Sequence, residues 1–344
     1  MSEKKYNVII AGGSFAGLSV ASMIKSGKVL IIDQKKLGRG VKSACATLFY
    51  LVKEMGLQEA VLQKHANIIL HTAFDKLNYF FKDPFCVIDP EILAKKLLAK
   101  SKAEFLRTRI TGFDKEKKII KTDKGDFYGE IFVDASGPKR VLAEKEIKFN
   151  EHLSFGIETI LPYRAKDLHF WYEPKIFKKG IFWLFPQGKT SRFGVASYQG
   201  KTDLKPYLDN FVKRFGLKTA ALHGGYFPHY LLSSTAEEVF LVGDAAGHCL
   251  PLTGEGIRPA IVFGQTCGDI IEDILLGKMT LAQGLRRYHD FVLKGRRAYD
   301  VLYWAQQFLI SIPEDLFYPL AWFVSKKPVT SFVLNNYLGS LKRR

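Results

Sequence analysis

The sequence predicts an α/β chain with three parts. A sheet-and-helix domain is assembled from two separate stretches, a β-sheet domain is inserted between them, and a helical segment follows. Three observations predict it. The apolar run Tyr6–Ala11 leads into glycines and a helix-like stretch, Leu18–Ile24. A second apolar run, Gly129–Val133, ends in Asp134-Ala135-Ser136-Gly137. A third, Val239–Val242, ends in Gly243-Asp244-Ala245-Ala246-Gly247 and, after Pro251-Leu252-Thr253-Gly254-Glu255-Gly256, enters an apolar segment at Ile257. Buried strands that end in small residues and open helices are the βα units of an α/β sheet.

The first unit carries the most chemistry. Gly12-Gly13-Ser14-Phe15-Ala16-Gly17 follows the strand, and a second strand, Lys28–Ile32, ends at Asp33-Gln34. This is the layout of a dinucleotide site: glycines for a tight turn, a helix N-terminus facing pyrophosphate, and an acid for a ribose hydroxyl. Asp33 lies 21 residues after Gly12, against about 20 in the fingerprint. In the Gly-x-Gly-x-x-Gly register Ser14 replaces the second glycine. A register through Ala11, Gly13 and Ala16 changes the residue roles but not the ligand class. The fingerprint occurs once, so the chain is expected to hold one dinucleotide tightly. A reductant then reaches it transiently or through a partner.

The Gly243–Ile257 stretch suits a flavin. Asp244 at a strand end can accept hydrogen bonds from a polyol, and the helix start at Gly254-Glu255-Gly256 presents unpaired N–H groups. With the Gly12 fingerprint and the Asp134 strand, the chain resembles the FAD-dependent oxidoreductases that include aromatic hydroxylases and geranylgeranyl reductases, over about residues 6 to 275. Hydroxylases read Gly-Asp-Ala-Ala-His and then Pro-x-Gly-Gly-Gln-Gly-x-Asn. Here Gly247 stands in place of His, Glu255 in place of Gln and Arg258 in place of Asn. The loop is instead similar to that of the geranylgeranyl reductase family. Two further stretches carry the resemblance. Cys45, in Lys42-Ser43-Ala44-Cys45-Ala46-Thr47, matches the family's loop cysteine, with Ala46 where Gly is usual. Trp183, Phe185 and Pro186 match the family's Pro-x-x-Tyr-x-Trp-x-Phe-Pro cavity signature, whereas Lys178 and Ile181 depart from it. Relatives often carry Arg at the position of Pro90.

The resemblance implies a Rossmann-like FAD-binding domain with an inserted β-sheet substrate domain and a C-terminal helical cap. It implies FAD contacts from Gly12, Gly13, Ser14, Phe15, Ala16, Gly17, Asp33, Gln34, Ala44, Asp134, Gly137, Gly243, Asp244, Gly254, Gly256 and Ile257, and substrate contacts from Trp183, Phe185 and Pro186. Hydride transfer from reduced flavin then saturates double bonds of an isoprenoid or prenyl-lipid substrate, with ferredoxin or NAD(P)H as transient donor. Cys45 is the candidate catalytic residue, as a substrate-steering or proton-delivering group, against a small buried cysteine with no chemistry. Phe182 and Trp183 point to opposite faces of a strand, so only one lines the cavity. His248 and Cys249 are acid–base candidates or loop residues, with His248 read chiefly as a hydrogen-bonding loop residue. Cys267 is read as core, and Arg258 is a candidate at the flavin edge. The competing readings are an FAD monooxygenase hydroxylating an apolar substrate, and a flavin-binding protein with a degenerate site.

Expected boundaries are 1–146 and 236–282 for the FAD-binding domain, 147–235 for the substrate sheet and 283–344 for the helical segment. Asp89–Leu98 reads as a capped helix with Pro90 at its first position. At 344 residues with 47% hydrophobic content the chain supports a substantial core. No apolar run has the length of a membrane span and no signal peptide precedes the first strand, which suits a cytoplasmic protein. Four scattered cysteines without a Cys-x-x-Cys pair argue against a metal site or a disulfide framework. The 51 basic and 34 acidic residues give +17; a solvated lysine-rich face and an anionic membrane surface are weighed ahead of nucleic acid. Residues 299–341 are rich in aromatic and apolar side chains with flanking basics: Lys294, Arg296, Arg297, Lys326, Lys327 and Lys342-Arg343-Arg344. They read as a helical cap or as a peripheral lipid-interface element.

Overall fold

Apolar runs become strands, and the glycine-led segments become helix starts. The structure, a computed structural model, describes residues 4–39, 44–72, 75–143 and 152–326. Lys42, Ser43, Lys327, the apolar run at 332–334 and the terminal basic residues lie outside the described residues. In chain order the first half contains β1 (Lys4–Ala11), α1 (Phe15–Met23), β2 (Val29–Asp33), β3 (Ala46–Leu48), α2 (Phe49–Glu54), β4 (Val61–His71), β5 (Lys76–Ile88), α3 (Pro90–Ala99), β6 (Glu104–Arg107), β7 (Ile110–Asp114), β8 (Ile119–Thr122) and β9 (Gly125–Asp134). The second half contains β10 (Leu153–Leu161), β11 (Leu168–Trp171), β12 (Gly180–Gln187), β13 (Thr190–Ser197), α4 (Lys205–Lys213), β14 (Leu222–Pro228), β15 (Thr235–Ala236) and β16 (Val239–Leu241). Four helices follow: α5 (Ile257–Leu275), α6 (Leu281–Lys294), α7 (Arg296–Ser311) and α8 (Glu314–Ser325).

The first sheet has the order β15-β16-β9-β1-β2-β6, with the β7–β8 hairpin attached to β9. Its central strands are parallel, and Ala11 pairs with both Ile32 and Asp134, while Leu241 also pairs with Asp134. The loops after β1, β2, β9 and β16 therefore leave the sheet at one edge, where α/β sheets bind ligands. Both faces are covered. Val8 and Ile10 join the core that α1 and α5 share, while Ile9 and Ala11 join one with Phe127, Ile120 and Phe113. That explains an apolar run without alternation.

The second sheet has the order β14-β10-β13-β12-β11-β4-β5-β3. Three of its strands, within residues 46–88, fall inside the stretch that the sequence assigned to the first domain. The motif-bearing segments flank this stretch, so motif order could not reveal that its strands pair elsewhere. On one face of the second sheet Phe182, Leu184, Phe193 and Val195 pack against Leu208, Phe211 and Val212 of α4. Its opposite face is left for a cavity. The capped helix forms as expected: the Asp89 side chain accepts from the amides of Glu91 and Ile92, with Pro90 in the first turn.

Helix α1 is buried along almost its whole length and lies against α5 at backbone distance. Two glycines of α5 permit this. A Cβ on Gly264 would sit 2.8 Å from the Ala16 carbonyl oxygen, and one on Gly268 would sit 2.3 Å from that of Val20. The helical segment is tied to the same domain by buried hydroxyls: Tyr288 donates to the Leu241 carbonyl at 3.1 Å and Tyr299 to that of His248 at 2.6 Å.

Gly268→Ala is expected to destabilise the protein. Its helix-propensity gain of about 1 kcal/mol is outweighed by an overlap with backbone that no rotamer relieves, costing about 1–3 kcal/mol. A lower urea midpoint checks this; an unchanged or higher one contradicts it.

Candidate active site

At the shared edge of the first sheet the turn after β1 is built on Gly12, whose φ is 109°. A Cβ there would lie 2.2 Å from the Ala135 carbonyl oxygen, so glycine lets the Gly12 turn and the Asp134–Gly137 loop touch. Gly17 packs α1 onto that turn, where a Cβ would meet the Gly12 carbonyl oxygen at 2.0 Å. The Gly12–Ser14–Gly17 register therefore describes the turn. Ser14 is the helix N-cap, with no side-chain capping bond. Asp33 accepts from the Gly13 amide at 2.7 Å and the Lys35 amide at 2.8 Å, which holds its carboxylate beside the turn.

These loops line one end of a continuous cavity of about 2050 Å³. Gly12, Gly13, Ser14, Phe15, Ala16, Asp33, Gln34, Ala44, Gly137, Gly243, Asp244, Gly254, Gly256 and Ile257 all face it. A single small-ligand pocket spans roughly 300–1,000 Å³, so this one has room for a dinucleotide and a second molecule. Beyond the loops the wall is largely apolar: Ile68, Leu70, Phe81, Phe170, Trp183 and Phe185 of the second sheet, then Val301, Phe308 and Leu320 of α7 and α8. Gly194, opposite Trp183 in the β12–β13 register, makes room for the indole; a Cβ there would fall 2.0 Å from its ring. Phe182, on the other face, packs against Phe211 in the α4 core, the rings tilted by 33°.

Several expected residues lie elsewhere. Asp134 is fully buried and accepts from the Ser136 amide and hydroxyl and the Leu142 amide, at 3.0, 2.6 and 2.7 Å. Burial raises its pKa and these bonds oppose the rise. It shapes the Ala135–Lys139 loop, which does line the cavity, without facing the cavity itself. Gly17 also stays behind the wall. Pro186 is buried, with its carbonyl 3.0 Å from His65 Nε2. Cys45 sits between two wall residues, Ala44 and Ala46, yet its side chain belongs to the apolar core. Burial pushes its thiol up to about 12, so proton delivery by Cys45 lacks both exposure and acidity. His248 is buried; its Nδ1 accepts from the Gly243 amide at 3.1 Å, and burial lowers its pKa to about 3. It is a neutral loop brace. Arg258 is fully buried and makes a bidentate pair with Glu255, at 2.9 and 2.8 Å, inside the α5 N-terminus.

Three features were missed. Gln306 of α7 is buried and faces the cavity; its Oε1 accepts from the Leu252 amide at 2.7 Å, leaving Nε2 without a partner among the described residues. An orphaned buried donor of this kind fits a ligand acceptor. Tyr198 donates to the Leu252 carbonyl at 2.9 Å from the other side. Glu158, Arg192 and His223 form a charged cluster on the second sheet. For Glu158 and Arg192 a signal was present, a charge inside the apolar runs Leu153–Leu161 and Ser191–Ser197.

No family model matches the chain. A digeranylgeranylglycerophospholipid reductase of Methanococcus vannielii is 24% identical over 318 residues, 83% of this chain and 82% of that protein. The crystal structure of a geranylgeranyl bacteriochlorophyll reductase-like protein from Thermoplasma acidophilum superimposes with a TM-score of 0.85 at 19% identity, covering 95% of this chain and 93% of that one. The resemblance to the geranylgeranyl reductase family is borne out. The flavin-dependent brominase Bmp2 shares the fold more distantly, with a TM-score of 0.74 at 15% identity over 96% of this chain and 93% of its own. The fold is thus one used by flavin-dependent enzymes, and the Gly12 turn, the Asp33 carboxylate and the glycine-lined α5 start fit such a cofactor.

Cys45 is expected to resist alkylation. Its pKa near 12 leaves almost no thiolate at pH 8, and thiolate is the reactive form. Iodoacetamide followed by peptide mass spectrometry should label Cys45 only after denaturation; rapid labelling of the native protein contradicts the buried placement.

Proposed function

We propose that this chain is an FAD-dependent oxidoreductase that saturates C=C bonds of a prenyl-lipid substrate. The observation that carries this reading is the continuity of one cavity from the nucleotide-type loops to a long apolar wall. The Gly12–Gly17 turn and Asp33 hold the nucleotide end, and the Gly243-Asp244 and Gly254–Ile257 loops hold the flavin end. When bound, reduced FAD supplies a hydride. Trp183, Phe185 and their neighbours bind the isoprenoid chain and exclude water. With a single nucleotide fingerprint, the reducing electrons come from a transient donor such as ferredoxin or NAD(P)H. The test is anaerobic incubation of the dithionite-reduced protein with geranylgeranyl lipids and mass spectrometry of the product. A gain of two hydrogens per bond is expected, with Trp183→Ala lowering the rate about tenfold or more through lost substrate packing. Products that gain oxygen, formed only in air, would instead mark a monooxygenase.

The reading extends to a membrane surface. No helix among the described residues is long and apolar enough to cross a membrane. Helix α7 nonetheless exposes Val301, Trp304 (68% exposed) and Phe308, and α8 exposes Leu316, Leu320 and Phe323, one stripe on each helix. Val301, Phe308 and Leu320 also line the cavity, so the stripe rims its mouth. Lys294 and Arg297 lie at the same rim, and Lys326 Nζ sits 3.6 Å over the Trp322 ring. Apolar side chains edged by basic ones favour an anionic bilayer, from which a lipid tail enters between α7 and α8. The protein is expected to float with phosphatidylglycerol vesicles and not with phosphatidylcholine, less so in high salt. The double variant Trp304→Ser, Phe308→Ser should lose most of this binding; wild type that ignores anionic vesicles refutes the docking face.

A further inference from the structure

Where the second sheet forms the cavity wall, the lining is largely apolar but carries one polar cluster around Glu158 and His223. Glu158 of β10 and His223 of β14 are directly paired in register, and both face the cavity. Glu158 Oε1 accepts from Arg192 Nη1 at 2.5 Å and lies 2.6 Å from His223 Nε2, while Oε2 accepts from Trp183 Nε1 at 3.3 Å. Arg192 is buried and donates its Nε to Gln187 at 2.8 Å. The cluster lies within electrostatic reach of Cys45, whose neighbours Ala44 and Ala46 belong to the wall. It therefore stands where the second sheet meets the segment assigned to the flavin.

A buried ion pair is a poor source of stability, because desolvation offsets its attraction. Its geometry here serves the imidazole. Glu158 occupies Nε2 and fixes the ring, and Nδ1 has no hydrogen-bond partner among the described residues. Arg192 and Trp183 hold the same carboxylate from two further directions, which restrains its orientation.

We propose that His223, positioned by Glu158 and Arg192, is the proton donor that completes double-bond reduction. This rests on the reductase reading above. The proton on Nδ1 bonds to one alkene carbon through the π electron pair. The other carbon, left electron-deficient, takes the hydride with its pair, so the alkene gains two hydrogens and the flavin loses two electrons. The imidazole, now neutral, keeps its Nε2–H on Glu158 and regains the Nδ1 proton from solvent. The electron-rich face of Trp183 stabilises positive charge developing nearby. His223 is catalytic in this scheme; Glu158 and Arg192 are positioning residues.

The test uses the full-length flavin-loaded protein, prereduced under anaerobic conditions and mixed with geranylgeraniol in a stopped-flow instrument. In His223→Gln, flavin reoxidation by the alkene should slow about 100-fold or more, the usual worth of a general acid. Geranylgeraniol binding to the flavin-free protein, read by tryptophan fluorescence, should stay at the wild-type level, as should flavin reduction by dithionite. In His223→Ala, added imidazole should restore part of the rate, a recovery that a structural role would not give. Near-wild-type reoxidation in His223→Gln overturns the proposal, as does a loss of binding in proportion to the loss of rate. Wild type that fails to reduce any prenyl substrate would instead refute the reductase reading, and this inference with it.

Discussion

The contact on which the rest depends is the backbone-close packing of α1 on α5. Each helix starts at one of the two glycine loops, and each start lines the cavity. Side chains at positions 264 and 268 would hold the helices apart and move those starts away from each other. Close approach also brings Ala16 against Gly243, where a Cβ would lie 2.8 Å from the Ala16 methyl carbon. Two loops more than two hundred residues apart in sequence thus become one binding edge. The parallel register of β1, β9 and β16 gives that edge a common height.

The second constraint is the division of labour across the second sheet. One face is closed by α4 with Phe182, Phe193 and Phe211, so the other face alone forms the cavity. Strand alternation then decides the role of every residue on β12, placing Trp183 and Phe185 on the wall and Phe182 in the core. The helical segment completes the enclosure. Tyr172 donates to the Leu309 carbonyl at 2.9 Å and packs on Phe317, pinning the corner between α7 and α8 to the sheet. Gln306 and Tyr299 tie the same helix to the Leu252 and His248 loop. The cap and the exposed apolar edge are therefore two sides of one element: inward residues hold the loop, and outward ones rim the mouth.

Most of the nucleotide end was readable because its chemistry is local. A turn that needs positive φ, a helix start and an acid at a strand end all leave marks within a few neighbouring residues. The expected residues that do not face the cavity share a cause. Asp134, Pro186 and Cys45 were assigned to the site from motif position, which locates the backbone but not the direction of the side chain. Cys45 has φ 58° and turns its thiol into the core while both neighbours reach the wall. The strands within 46–88 were misassigned because pairing partners distant in sequence leave no local mark. Glu158, Arg192 and His223 each come from a different strand, and only sheet register makes them neighbours.

The amino-acid sequence by itself determined the α/β class, the dinucleotide-type turn at Gly12, the acid at Asp33 and the family resemblance. These follow from short-range spacing and backbone sterics. Tertiary structure alone decided which side chains face the cavity, that one cavity runs from the glycine loops to the apolar wall, and that a carboxylate, a guanidinium and an imidazole meet beside it. Those outcomes depend on strand register and helix approach, which are set by contacts between residues far apart in the chain.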